Sequence, residues 1–111
     1  MRFRKAVLTL LVALSLGACS RDRSGPGLYR TSCRRCHGPA AEGPKRPSKL
    51  YPHLDLRKSP MVLRGDRAAV RQRIAEGHGP MPAYSKRLTP EEIERLVELT
   101  LQIPKLKPGR K

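Results

Sequence analysis

Five consecutive residues, Cys33-Arg34-Arg35-Cys36-His37, carry the densest chemistry in the chain. Two thiols three positions apart lie on one side of a single helical turn, where each can add across one vinyl group of a porphyrin. The imidazole that follows is then placed to bind the iron. Cys-x-x-Cys-His is the attachment signature of c-type haem, a redox cofactor that cannot dissociate once bonded. Two other readings of the same thiols demand more than the sequence offers. A thioredoxin-like dithiol needs a strand–helix–strand context, and there is no strand signal here. Structural zinc needs four ligands, and one cysteine pair with the scattered His53 and His78 has no usual zinc spacing.

A second set of residues could supply the opposite axial ligand. Met81 stands inside Gly79-Pro80-Met81-Pro82, where two prolines fix φ on either side and Gly79 lets the backbone pass close to a flat ring. A stiff loop of this kind holds a thioether over iron at little entropic cost. Met61 follows Pro60 without such a frame and reads as core filler. His78 and His53 are the rival ligands, and an open position is the third option. The choice decides the chemistry. Imidazole with thioether raises the reduction potential relative to two imidazoles, and with both axial positions filled no substrate reaches the iron. Such a chain passes single electrons and is not an enzyme. An open or displaceable sixth position would instead make a haem sensor or a catalytic haem protein.

The first residues belong to export rather than to the fold. Arg2, Arg4 and Lys5 precede an apolar run from Ala6 to Leu16, too short to span a membrane and suited to the core of a signal peptide. Leu16-Gly17-Ala18-Cys19 then resembles a lipobox, in which Cys19 is acylated and becomes the mature N-terminus. Ordinary signal-peptidase cleavage after Ala18 is the alternative, but it wants a small residue where Leu16 stands. The organisation expected is a lipoprotein signal peptide over 1–18, a lipidated tether over 19–24, one domain over 25–104 and a basic tail over 105–111. All three cysteines are used: Cys19 for lipid, Cys33 and Cys36 for porphyrin.

A formal charge of +15 falls to +12 once the leader takes Arg2, Arg4 and Lys5 with it. Strong positive charge speeds approach to acidic partners and anionic membranes. Nucleic acid is the usual suspicion for such a balance. Export and the lack of an aromatic stacking platform argue against it, and part of the charge reads as a solvated face. Beyond the leader the only aromatics are Tyr29, Tyr51 and Tyr84, so a flat apolar macrocycle would serve a small domain as core filler.

Helical elements must position these groups. Ser24 caps a helix running to about Arg35, which puts Tyr29, Cys33 and Cys36 on one face and Arg34 and Arg35 in solvent. Five prolines keep Gly38 to Pro60 irregular. A second helix runs from Asp66 to Glu76, stopped by Gly77, with Val70 and Ile74 as its apolar stripe. The last helix has the clearest start: Thr89 as N-cap, Pro90 in the first turn and Glu92 completing a capping box, with Pro104 ending it. The fold class is all-α.

Three stretches in this order carry a family resemblance: Gly25-x-x-Leu28-Tyr29-x-x-x-Cys33-x-x-Cys36-His37-Gly38, Gly77-x-Gly79-Pro80-Met81-Pro82-Ala83-Tyr84 and Leu88-Thr89-Pro90-Glu91-Glu92-Ile93-x-x-Leu96. From Ser24 to Ile103 the chain resembles a small class I monohaem cytochrome c behind a bacterial lipoprotein signal. The resemblance implies three to four short helices wrapped around one covalently attached haem c, with His37 and Met81 as iron ligands. It implies that a proline carbonyl accepts the second N–H of His37, a role Pro52 fits within Pro52-His53-Leu54 and Pro47 fits less well. Tyr29 faces the porphyrin, and Tyr84 packs on its edge, a hydroxyl bond to a propionate being the alternative. The family usually pairs an aromatic on the first helix with one on the last; here Tyr29 faces Leu99. The function implied is a monomeric, lipid-anchored periplasmic electron carrier whose redox partners offer an acidic docking surface to Arg34 and Arg35. The alternative is a fixed cytochrome subunit of a membrane dehydrogenase or oxidase. Ser20 after Cys19 points to the outer membrane under the sorting rule of some bacteria.

Overall fold

The computed structural model describes residues 20–44 and 53–106. The leader, Cys19, Pro47, Tyr51, Pro52 and the last five residues lie outside them. The described part is helical, with five α-helical segments and two 3-10 turns: α1 (Gly25–Ser32), α2 (Arg34–His37), a 3-10 turn over Leu56–Lys58, α3 (Pro60–Leu63), α4 (Arg67–Glu76), α5 (Pro90–Gln102) and a closing 3-10 turn over Ile103–Lys105. No strand occurs among the described residues.

Helix α5 is the scaffold, and its start is the one the sequence predicts. Thr89 Oγ1 accepts from the Glu92 N–H at 3.2 Å while Glu92 Oε1 accepts from the Thr89 N–H at 3.0 Å, so two otherwise orphaned donors are satisfied reciprocally. Ile93, Leu96, Val97 and Thr100 recur at helical spacing and are all buried. Leu96 and Val97, with Leu28 of α1, are the most completely buried large side chains, each stabilising the fold by about 1.5–3 kcal/mol through burial.

Two helices lean on that scaffold. Helix α1 is capped by Ser24, whose Oγ accepts from the Gly27 N–H. It crosses α5 closely: a side chain at Gly25 would begin 3.0 Å from the Arg95 carbonyl and 3.6 Å from Leu99 Cβ. Leu99, where the resembling family prefers an aromatic, is half-buried against the core and fills this crossing. Helix α4 is capped by Asp66, which accepts from the Ala69 N–H at 3.1 Å, and it buries Val70 and Ile74 as expected. On the solvent side Arg67 pairs with Glu94 and Glu98, and Arg71 reaches Glu94 at 2.8 Å. These pairs set the register of α4 on α5 but, being half-exposed, contribute little stability.

One expected element differs. The first helix does not run unbroken to Arg35; it ends at Ser32 and resumes as α2 after Cys33, whose φ of −117° stays in the right-handed region but lies well off the helical mean. Thr31 supplies a physical reason. Its hydroxyl lies 3.2 Å from both the Gly27 and Leu28 carbonyls, a back-bond that competes with the helical ladder and bends helices. The short α3 and the 3-10 turn before it add to the three to four helices expected. Asp55 and Ser59 start them, with Asp55 accepting from the Arg57 N–H at 3.0 Å.

Candidate cofactor site

The break at Cys33 winds the thiol segment tightly. The Cys33 carbonyl accepts both the Cys36 N–H (3.2 Å) and the His37 N–H (3.0 Å), closing a single turn that carries two thiols and an imidazole. Cys33 is half-buried against the core and Cys36 exposed, and neither is bridged. Burial, and then the neighbouring Cys36, push the Cys33 thiol up to about 11. A dithiol oxidoreductase needs the opposite, a thiolate stabilised near neutral pH.

His37 is oriented by a carbonyl. Its Nδ1 lies 2.8 Å from the Leu54 oxygen, so Nδ1–H donates and the Nε2 lone pair remains for a metal. The family resemblance assigns this acceptor to Pro52, which lies outside the described residues. The described structure gives it to Leu54, two residues further on, because the chain turns at Asp55 and brings that peptide beside the ring. Every residue owns a carbonyl, so composition could not single this one out.

Gly38 closes α2 with φ +82° and ψ 163°, a conformation reserved almost wholly to glycine. Its carbonyl accepts the Tyr29 hydroxyl at 2.7 Å, and the Gly43 N–H returns to the His37 carbonyl at 2.8 Å. Tyr29 therefore does more than line a cavity, since it ties α1 to the peptide beyond the proximal imidazole. Burial pushes its phenol up to about 12, so it stays a donor. Arg34 and Arg35 are exposed, as their helical phase requires.

The methionine loop is built differently. His78 and Met81 exchange both main-chain hydrogen bonds, His78 N–H to Met81 O at 3.1 Å and Met81 N–H to His78 O at 3.0 Å. Gly79, at φ +54°, and Pro80 form the two-residue turn between them. Upstream, Gly77 ends α4 at φ +72°, and a Cβ there would lie 2.4 Å from the Met81 carbonyl. The sequence marked Gly77 as a helix stop; its second task, making room for Met81, shows only in three dimensions. Downstream, the Tyr84 N–H donates to the Ile74 carbonyl at 3.1 Å.

Met81 emerges half-buried against the core, whereas His78 and His53 are exposed. Met61 also packs on the core and, with Ala69, Gln72, Arg73, Glu76, Gly77 and His78, lines a cleft of about 270 Å³ beside the methionine loop. The Tyr84 ring is buried in the core, and its hydroxyl donates to the Ser32 carbonyl at 2.7 Å rather than standing free for a propionate.

The comparisons with known proteins agree with this arrangement. The family model described as cytochrome c oxidase, cbb3-type, subunit III matches residues 20–99. Over 79 residues the chain is 30% identical to cytochrome c6 of Gloeothece citriformis (strain PCC 7424), spanning 71% of this chain and 68% of that protein. The chain belongs to the cytochrome c family. Its fold is the all-α cytochrome c fold, its cofactor is covalently bound haem c with iron, and its activity is haem-based electron transfer to and from redox partners.

The residues present fit that cofactor. Two unbridged thiols sit on one turn, an imidazole with its Nδ1 already engaged leaves Nε2 for iron, and a soft thioether is held on a rigid hairpin. When bound, haem c supplies a one-electron iron couple. The chain's part is to hold the groups that face the cofactor, and here the His37 ring is fixed by the Leu54 carbonyl and the Met81 backbone by its two bonds to His78.

Proposed function

We propose that this protein is an electron carrier rather than an enzyme, with Cys33 and Cys36 in thioether bonds and His37 and Met81 as axial ligands. The observation that carries the ligand assignment is the His78–Met81 hairpin, which turns the thioether toward the core while the rival His78 stays in solvent. Filling both axial positions excludes substrate, and a rigid ligand set favours rapid transfer. The spectrum of matured protein tests this. A weak near-infrared sulfur-to-iron band is expected, along with resistance of the ferrous form to carbon monoxide; Met81→Ala loses the first and gains carbon monoxide binding. A band that survives Met81→Ala sinks the assignment.

The proposed organisation is a signal peptide over 1–18, a lipidated tether over 19–24, the haem domain over 25–104 and a basic tail over 105–111, working as a monomer. Cys19 carries the lipid and places the domain at the periplasmic face of a membrane, with Ser20 directing it to the outer membrane. Acyl chains contribute about 0.8 kcal/mol per buried CH₂, so a multiply acylated cysteine anchors the domain durably. Among the described residues no helix is long and apolar enough to cross a membrane. Cys19→Ser should move the protein from the membrane to the soluble periplasmic fraction. The docking partner is an acidic redox protein rather than nucleic acid, and exposed Arg34 and Arg35 support that choice. A second reading, a fixed subunit of an oxidase, is favoured by the family that matches, cbb3-type oxidase subunit III, and by the exposed Leu63 and Leu106. A partner that co-purifies through high salt would establish it.

A further inference from the structure

Tyr84 stands three residues beyond Met81, yet its hydroxyl reaches 52 residues back along the chain to the carbonyl of Ser32. Ser32 is the last residue of α1 and precedes Cys33 directly. A helix end leaves its final carbonyls without intrahelical donors. Here the Cys36 N–H, which a continuous helix would have given to Ser32, goes to Cys33 instead. The Tyr84 phenol supplies a donor to that carbonyl.

We propose that Tyr84 is the positioning residue of the sixth ligand, its hydroxyl tying the Met81 loop to the end of α1 directly before the thiol segment so that the thioether stays closed on the iron. The proposal rests on, and deepens, the assignment of Met81 as ligand. Its support is that, apart from the Ser85 amide on Ala75 and the packing of Met81 on the core, few anchors hold this loop. Pro80 and Pro82 have no N–H to give. Met81 spends its own N–H and carbonyl on His78, inside the same hairpin. Ala83 is exposed. The described contacts that fasten this hairpin to the rest of the molecule through Tyr84 are its amide on α4 and its hydroxyl on α1. Tyr84 as a residue is 8% exposed and its hydroxyl bond is partly buried, so removing that bond releases the loop on the side of Ser32 and Cys33. One bond thus couples the two halves of the ligand set.

Tyr84→Phe in the matured haem protein tests this, since it keeps the buried ring and deletes only the hydroxyl. Loss of one net hydrogen bond raises the loop-open population about fivefold. The ferrous form should therefore bind carbon monoxide about fivefold more tightly, and added imidazole should displace the ferric sulfur-to-iron band at about one-fifth of the concentration. Thr100→Val removes another buried hydroxyl bond, Thr100 Oγ1 to Leu96 O at 2.7 Å on α5, and should lower thermal stability without moving either readout. In the unmutated protein the Tyr84 and Ser85 amides, bonded to Ile74 and Ala75, should exchange with deuterium over the range of imidazole concentration in which the band fades. An unmoved band and affinity in Tyr84→Phe overturn the proposal, as do equal shifts in Thr100→Val or exchange uncoupled from the band. If the unmutated protein has no sulfur-to-iron band, the ligand assignment fails and the tie falls with it; a band present but insensitive to Tyr84 defeats the tie alone.

Discussion

The thiol segment and the methionine loop both turn on a glycine in a conformation other residues avoid, Gly38 at φ +82° and Gly77 at φ +72°. Their surroundings differ. At Gly38 an added Cβ would meet chiefly the Glu42 carboxylate, whose atoms can swing aside, and then the Gly43 carbonyl at 2.9 Å. At Gly77 it would meet backbone alone: the Met81 carbonyl at 2.4 Å, Pro82 C at 2.8 Å and the Ala83 nitrogen at 2.9 Å. His37, the proposed proximal ligand, lies inside the helix that its glycine closes. Met81, the proposed distal ligand, lies beyond its glycine, on a hairpin whose fastening comes from α1 and α4. A contiguous motif and a few local bonds make the first region; tertiary packing makes the second. The distal region is accordingly the more easily loosened.

The largest effect should come from the proximal thiols. In Cys33→Ser/Cys36→Ser no pigment should survive acidified acetone, whatever the state of the Met81 loop, because no thioether can form. Retention of covalent haem in that double variant would refute the assignment of these two residues. The glycines come next. Gly77→Ala should cost about 3 kcal/mol or more, and Gly38→Ala about 1–2 kcal/mol, since strain of this kind is worth about 1–3 kcal/mol before backbone clashes are added. Urea unfolding gives the stabilities, and the sulfur-to-iron band shows whether the Gly77 variant loses its distal ligand first. An equal loss in the two variants would erase the contrast drawn above.

Helix α5 supports both regions, so a fault there should not discriminate between them. Thr89→Ala removes the cap and should lower stability by about 1 kcal/mol, with denaturant midpoints read from the thiol segment and the methionine loop falling together. The smallest effect is one of pH. The Thr89 N–H, and then the Arg23 guanidinium, hold the Glu92 carboxyl below its ordinary value of 4.5. A carboxyl lowered in the folded state contributes stability that is complete above 4.5 and is lost as pH falls through the lower folded value. Urea midpoints of the native protein should therefore drop as pH falls below 4.5 and through the lower folded value, and Glu92→Gln should flatten that drop while lowering the plateau.

Much of this was readable from residue order. The capping box at Thr89, the Asp66 cap, the burial of Val70 and Ile74 and the exposure of Arg34 and Arg35 all follow from periodicity and cap chemistry, which act within one or two turns. The interruption at Cys33 escaped because helix propensity averages over a window, whereas one threonine hydroxyl two residues earlier bends the ladder. Leu54 escaped for a different reason. Its contribution is a main-chain oxygen, identical in every residue, and only the turn at Asp55 brings it to His37. The bond from the Tyr84 hydroxyl to Ser32 could not be read from residue order because its partner lies 52 residues away.

Amino-acid order alone determined that two thiols and an imidazole share one turn, and hence that a porphyrin could be bonded there, because that chemistry needs only neighbours in the chain. Which nitrogen of His37 is left for iron, which carbonyl decides it, and how a methionine far along the chain is held against the core were settled by folding. Those outcomes depend on α1, α4 and α5 meeting, and on hydrogen bonds between groups that no local rule places side by side.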